Sequence, residues 1–366
     1  MVQQSRGGRV TMKDIAAALD VSINTVHKAL TGKPGVSEEV RTRIVSLADE
    51  MGYRRNAAAS NLRRRGLKIA VCLPSAAHEG RYFYTYLWEG CRRYLDEARD
   101  AGIDVEFIEF EIGAYRAALA ELVQRTEAGE HLDGLLAFAP SEGEETRLLR
   151  RLAETGISLI LIDGDRPQTK RLGAVLADYT AAGNLLAEQA ANLLRFAKPD
   201  ARILLLTGDP LTDSHAMVAR AFHSSLRHRR AGFVIDDLAG AHGKADELRL
   251  SLASYFKTVR PDLAVSVFAL GSEVLADALV ECNLVGEVEA LGSDLFPESI
   301  LALRRGIFTN LVYKDPVGMA YRAISDLGNH VLWRVLPAND VQMGAVELVF
   351  KSNLDQVCAR ASLTLS

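Results

Sequence analysis

Two hydrophobic periodicities divide the chain. In its first fifty residues, apolar side chains recur every three or four positions in three short runs. The first covers 12–19; the second starts after Ser22 and turns Val26, Ala29 and Leu30 inward; the third starts after Ser37 and aligns Val40, Ile44, Leu47 and Met51. Thr11, Ser22 and Ser37 each stand where a helix N-cap belongs, with Asp14 and Glu38–Glu39 in first turns. From residue 68 the pattern changes to short apolar runs alternating with longer helical ones. Strands are expected at 69–73, 105–110, 134–138, 159–162, 174–177, 203–207, 233–235, 264–269, 289–291 and 308–313. Helices are expected at 84–101, 117–127, 144–154, 180–194, 217–228, 245–257, 272–281 and 316–332. Strands and helices alternating in this way predict an α/β body of two doubly wound parallel-sheet lobes behind a three-helix N-terminal unit.

The second short helix follows the tight break Leu19-Asp20-Val21-Ser22 and leaves Ile23, Asn24, His27 and Lys28 on its outer side. Two short helices joined this way form a helix-turn-helix. Asn near the start of the second can pair with adenine and Lys with guanine in a major groove. A solvated helical hairpin would show the same pattern, but the third helix completes a small core. Residues 56–62 then read Asn-Ala-Ala-Ala-Ser-Asn-Leu, followed by Arg63, Arg64 and Arg65. That segment is too short and too poor in apolar residues to hold a helix alone.

Charge sharpens the division. Residues 1–65 hold twelve Lys and Arg against six acids, a net +6, whereas the whole chain is −4 and the remainder therefore −10. A basic module on an acidic body fits phosphate neutralisation at the N-terminal end. No run of 18 apolar residues occurs, and the start MVQQSRGGRV lacks a signal peptide's apolar core, which predicts a cytoplasmic protein. Cys72, Cys91, Cys282 and Cys358 lack paired spacing, so reduced residues are expected rather than disulfides or a metal site.

The order Val10, Thr11, Asp14, Ile15, Ala16, then Val21, Ser22, Thr25, Val26, then Val36, Ser37, Val40, Arg41, then Gly52, Tyr53, Asn56, Ala59, Leu62 closely resembles the DNA-binding headpiece of the lactose-repressor (LacI) family. The resemblance implies that Ile23, Asn24, His27 and Lys28 face base edges and that Thr11, Ser22, Thr25 and Asn56 hold phosphates. It also implies that 57–62 is a hinge helix that folds on DNA, with Leu62 wedged into the minor groove; Tyr53 and Ala59 complete the DNA-facing set. Three departures stand out: Asp20 where the family usually has Gly, Arg55 where Pro is common, and His27-Lys28 where Ser-Arg is commoner. Asp tolerates a left-handed backbone, so the bend should survive.

The body resembles the periplasmic sugar-binding fold that forms the same family's effector domain. The anchors are Asp133-Gly134, Ile162-Asp163, Asp178 with Ala182-Gly183, Gly292-Ser293-Asp294, and Tyr313-Lys314-Asp315-Pro316 with Gly318. The expected organisation is a headpiece at 1–55, a hinge at 56–65 and an effector-binding, dimerising domain at 66–366. Its N-lobe would take 67–165 and 308–336, its C-lobe 166–307 and 337–366, with crossovers near Asp165, Ile307 and Leu336. Ligands of such sheets sit beyond strand carboxyl ends. Phe83 and Tyr84 would stack on a sugar, and Asp163, Asp178, Arg220, Glu273, Asp294 and Lys314 would bond its hydroxyls; Tyr82 and Trp88 are further candidates. The relatives' Arg at the second C-lobe helix is Val218 here, with Arg220 two residues on.

The function expected is a dimeric repressor of a partly palindromic operator, with a sugar or polyol effector and no cofactor. A solute-binding protein for import would explain the body but not the basic headpiece. An enzyme would need a nucleophile elbow, phosphate loop or metal-spaced His and Cys, none of which the sequence contains.

Overall fold

The computed structural model describes residues 10, 12–30, 32, 34–51, 53, 66–98, 102–141, 143–229, 232–240, 244–361 and 363. The N-terminal unit is α1 (Met12–Leu19), α2 (Ile23–Leu30) and α3 (Glu38–Glu50). Ile15, Ala16, Val26, Ala29, Ile44 and Ala48 are its buried core, with Tyr53 packed against them. Asp20 carries the bend at φ 53°, the left-handed conformation that the sequence required of it. Ser22 accepts the Thr25 amide at 3.0 Å and so caps α2. At the other end of α2, the Arg41 guanidinium donates to the carbonyls of Ala29 (3.0 Å) and Lys28 (3.3 Å). A cation there satisfies orphan carbonyls and ties α3 to α2.

The body holds two six-stranded sheets of the same design. The first runs in the order β11, β5, β4, β3, β1, β2; the second runs β12, β10, β9, β8, β6, β7. The strands of the first sheet are β1 (Leu67–Pro74), β2 (Ile103–Phe110), β3 (Gly134–Phe138), β4 (Ser158–Ile162), β5 (Gly173–Ala177) and β11 (Val341–Gly344). Those of the second are β6 (Arg202–Gly208), β7 (Val234–Ala239), β8 (Leu263–Ser266), β9 (Glu289–Ser293), β10 (Asn310–Tyr313) and β12 (Glu347–Val349). All pairs are parallel except β12 against β10. Apart from the edge strands β2, β7, β11 and β12, the strands are almost wholly buried, as helices on both faces require.

The helices are α4 (Tyr84–Glu97), α5 (Tyr115–Glu127), α6 (Glu144–Glu154), α7 (Tyr179–Leu193), α8 (Asp213–Arg229), α9 (Ala245–Thr258), α10 (Ala269–Glu281), α11 (Pro297–Arg304), α12 (Pro316–Trp333) and α13 (Leu354–Ala361). Glycines let two helix pairs approach closely. A Cβ on Gly90 of α4 would lie 2.2 Å from the Val317 carbonyl of α12, and one on Gly183 of α7 would lie 2.3 Å from that of Val218 on α8.

The chain changes lobe at three places, but not where the sequence put them. The crossovers near Asp165, Ile307 and Leu336 are corrected to the junctions β5–α7, β10–α12 and β11–β12. β5 pairs with β4 and so belongs to the N-lobe; β10 pairs with β9 and belongs to the C-lobe. Four-residue β11, beside β5, escaped notice because VQMG is too short to show a period. α11 and α13 were likewise missed at eight residues each, and α10 begins at Ala269, inside the run read as strand. All four cysteines are free, and burial pushes the Cys72 and Cys91 thiols up to about 12, so neither is a reactive thiolate.

Candidate functional site

Two surfaces carry chemistry. On the N-terminal unit, α2 presents the face that follows the capped bend. Ser22 is exposed and shares a 2.8 Å hydrogen bond with the Thr25 hydroxyl, so both side chains sit at the helix start. Tyr53 is half-buried, and its amide donates to the Ala48 carbonyl at 2.8 Å. Ile23, Asn24 and His27 lie on α2 with Lys28, but the side chains of those three are outside the described residues. Thr11, Asn56, Ala59, Leu62 and the whole expected hinge also fall outside them.

The second surface is the cleft between the lobes, with an inner chamber at the carboxyl ends of the strands. Its floor is an ion pair: Lys314 Nζ lies 2.9 Å from Asp294 Oδ2, both side chains almost fully buried, and also donates to the Val267 carbonyl at 3.4 Å. Asp294 directly follows β9 in the left-handed conformation (φ 67°), and its Oδ1 is buried without a hydrogen-bond partner. Burial raises its carboxyl, against the pull of Lys314. Asp163 holds the equivalent place after β4, also left-handed (φ 69°), and accepts a short hydrogen bond from the Tyr179 hydroxyl. Burial pushes Asp163 up to about 7, while Tyr179 and Lys314 pull it down and Asp294 adds to the rise.

Phe83 and Tyr84 close one wall, and Tyr84 meets Phe138 edge-on with ring centroids 5.6 Å apart. Opposite, His215 accepts from the Asp209 amide at 3.2 Å, and its ring lies 5.0 Å from that of Phe268. Glu79 spans the lobes by accepting from the Ala245 amide at 3.2 Å, beside an Arg81–Glu298 ion pair at 2.7 Å. Among these groups the only lysine is already paired with a carboxylate, and Glu79 and Asp163 add further acidic oxygen. The arrangement suits a neutral molecule rich in hydroxyls better than an anion.

Five of the eight sequence-derived ligand candidates, Phe83, Tyr84, Asp163, Asp294 and Lys314, line this chamber together. Three do not. Asp178 accepts the Ala181 amide at 2.8 Å and is spent capping α7; its neighbour Tyr179 reaches the cleft instead. Glu273 is held by Arg249 through two 3.0 Å hydrogen bonds away from the chamber. Arg220 is exposed, because it sits about 200° around α8 from buried Val218 at 3.6 residues per turn. Lys314 is thus the chamber's cation. Trp88 is buried core, its indole N–H donating to the Pro74 carbonyl at 2.8 Å, while Tyr82 does line the chamber. Glu79, Thr212, Ser214 and Phe268 also line the chamber; Thr212 and Phe268 lie on connections after strands, Glu79 in a 3-10 turn and Ser214 in the first turn of α8, whose placement one sequence does not fix.

Comparison with known proteins finds a family match for each unit. Residues 69–332 match the family described as periplasmic binding protein domain, and residues 11–56 match bacterial regulatory proteins, lacI family. The HTH-type transcriptional regulator AglR of Rhizobium meliloti is 31% identical over 180 residues, 48% of this chain and 41% of that protein. The ribose operon repressor of Haemophilus influenzae is 27% identical over 180 residues, 49% of this chain and 50% of that one. The matches thus span half or less of these relatives' length. Among solved structures, GanP, a glucose-galactose binding protein from Geobacillus stearothermophilus, superposes with a TM-score of 0.68 at 19% identity, over 80% of this chain and 99% of that one. That likeness speaks to the fold.

Proposed function

The chain belongs to the periplasmic binding protein domain family and carries a lacI-family regulatory domain ahead of it; on that premise we propose that it is a sequence-specific DNA-binding repressor. Its operator affinity is set by a sugar or related polyol held between the lobes, and it binds a partly palindromic operator as a homodimer. The observation that carries this reading is the presence in one chain of a capped helix-turn-helix and an interlobe chamber floored by Asp294 and Lys314. A single headpiece reads too few bases for specificity, which favours two half-sites and a two-fold pair of chains. The relatives named as regulators support the same reading, and no observation favours a catalytic one.

The cleft suits an allosteric role because both lobes contribute to it. A ligand that bonds Asp163 and Asp294 together favours one relative lobe position over another. The difference in affinity for the two positions is the free energy available to the headpieces. Either sign of response follows from the same geometry.

The test is fluorescence anisotropy of the purified chain on its own upstream DNA, against scrambled DNA of equal length at fixed salt. Specific binding should exceed non-specific binding by about 10³-fold or more. Equal affinity for both, with selection from random DNA also yielding no consensus, would contradict the proposal.

A further inference from the structure

The cleft does not end at the inner chamber. A second, outer chamber shares Tyr84, Asp163, Thr212, Ser214 and His215 with it. It too lies between the lobes. Two contacts that span them stand at its walls: the Arg166–Asp213 ion pair, and Ser141 Oγ donating to the Leu211 carbonyl at 3.0 Å. This is an open interlobe groove continuous with the ligand site, with walls from both lobes.

Its walls differ from those of the inner chamber. Phe110 and Tyr115 are stacked there with centroids 4.2 Å apart and planes at 14°, Phe138 lies beside them, and Ile112 is 52% exposed at the chamber. Phe110 and Tyr115 turn their faces to each other and are almost fully buried, so a sugar's C–H face there meets their edges, the half-buried Phe138 and exposed Ile112. Polar demand is also divided between the chambers. Of four buried side-chain polar atoms without a partner among the described residues, Asp294 Oδ1 belongs to the inner chamber and Arg166 Nε to the outer. One is an acceptor awaiting a donor; the other is an N–H awaiting an acceptor.

We propose that the outer chamber is a second sugar subsite and that the effector has two linked sugar units. The inner unit bonds Asp163 and Asp294. The outer unit lies against Phe110, Phe138 and Ile112 and offers an oxygen to the Arg166 Nε–H. The inference rests on the sugar reading of the cleft given above. It adds that one ring leaves half of the site, and one of its two orphaned groups, unused.

Calorimetry on the full chain tests it with maltose against glucose, melibiose against galactose and glucose, and the 4-nitrophenyl glycosides of both sugars. The expected result is one disaccharide bound at least tenfold tighter than its component monosaccharides. Ile112→Ser, at an exposed position that folding tolerates, should cut that ratio about threefold. Arg166→Lys keeps a cation beside Asp213 but removes the Nε–H, and should cut the ratio further. A monosaccharide bound as tightly as its disaccharide would overturn the second subsite and leave the sugar reading standing. A nitrophenyl glycoside equal to the disaccharide, with Arg166→Lys without effect, would overturn a sugar as the outer unit. Binding of none of these compounds, nor of any pentose, hexose or polyol in a wider panel, would defeat both readings.

Discussion

The N-terminal unit and the two-lobed body solve opposite problems. Among the described residues, the first folds about forty residues around six buried side chains, three of them alanine. The second buries most of its central strands on both faces and places charge inside, in the Asp294–Lys314 pair. A small module with so little core is marginally stable and specific by what it exposes. A large one can carry a buried ion pair, whose desolvation costs several kcal/mol, and be specific by what it encloses. Recognition by the headpiece and recognition by the cleft should therefore fail separately.

The largest expected effect breaks the small side of the contrast. Ile44 is fully buried in the headpiece, and Ile44→Ala should cost about 2–5 kcal/mol, close to all that such a unit has. Specific DNA binding should disappear, while sugar affinity and the main calorimetric transition stay as in the parent. Lys314→Met breaks the large side. It strands a buried carboxylate, a loss of about 3–5 kcal/mol, which should lower the main transition and abolish sugar binding yet leave non-specific DNA binding unchanged. If either variant removes both activities, the two regions are not separable in this way.

Smaller effects sharpen the comparison. Asn24→Ala should weaken operator binding by about 1–3 kcal/mol and barely affect scrambled DNA, as measured by anisotropy on both. The smallest concerns pH. Asp163 is raised to about 7 in the folded chain, whereas an unfolded aspartate titrates near ~3.9. The folded state thus holds this proton more tightly, so its stabilisation is full below about pH 4 and is lost as pH rises through about 7. The melting temperature should therefore fall more steeply from pH 6 to 8 in the parent than in Asp163→Asn, by roughly 2 °C.

The two regions also differ in how far their sequence could be read. In the headpiece, the three helices and their turn were legible because their signals are local: caps at Ser22 and Ser37, an αL-tolerant Asp20, and a period that picks out Val26 and Ile44. In the body, element types were legible from their periods, but the crossovers were not. Which lobe claims β5, β10 and β11 depends on pairing between distant strands, and no local pattern records it. The cleft was legible at strand ends with a distinctive residue, Asp163, Asp294 and Lys314. Asp178 and Tyr179 show the limit: both follow β5, and only the turn into α7 decides that one caps a helix and the other enters the site. Glu273 was misjudged because its partner Arg249 lies on another helix.

The central claim is that the cleft governs the headpiece, and it is tested most directly by operator affinity at fixed salt with and without the best-bound sugar of the panel. A shift of about 5- to 150-fold is expected, equivalent to a coupling of about 1–3 kcal/mol, matched by an equal shift of sugar affinity when operator is present and absent in Lys314→Met. An operator affinity that stays the same at saturating sugar would contradict it.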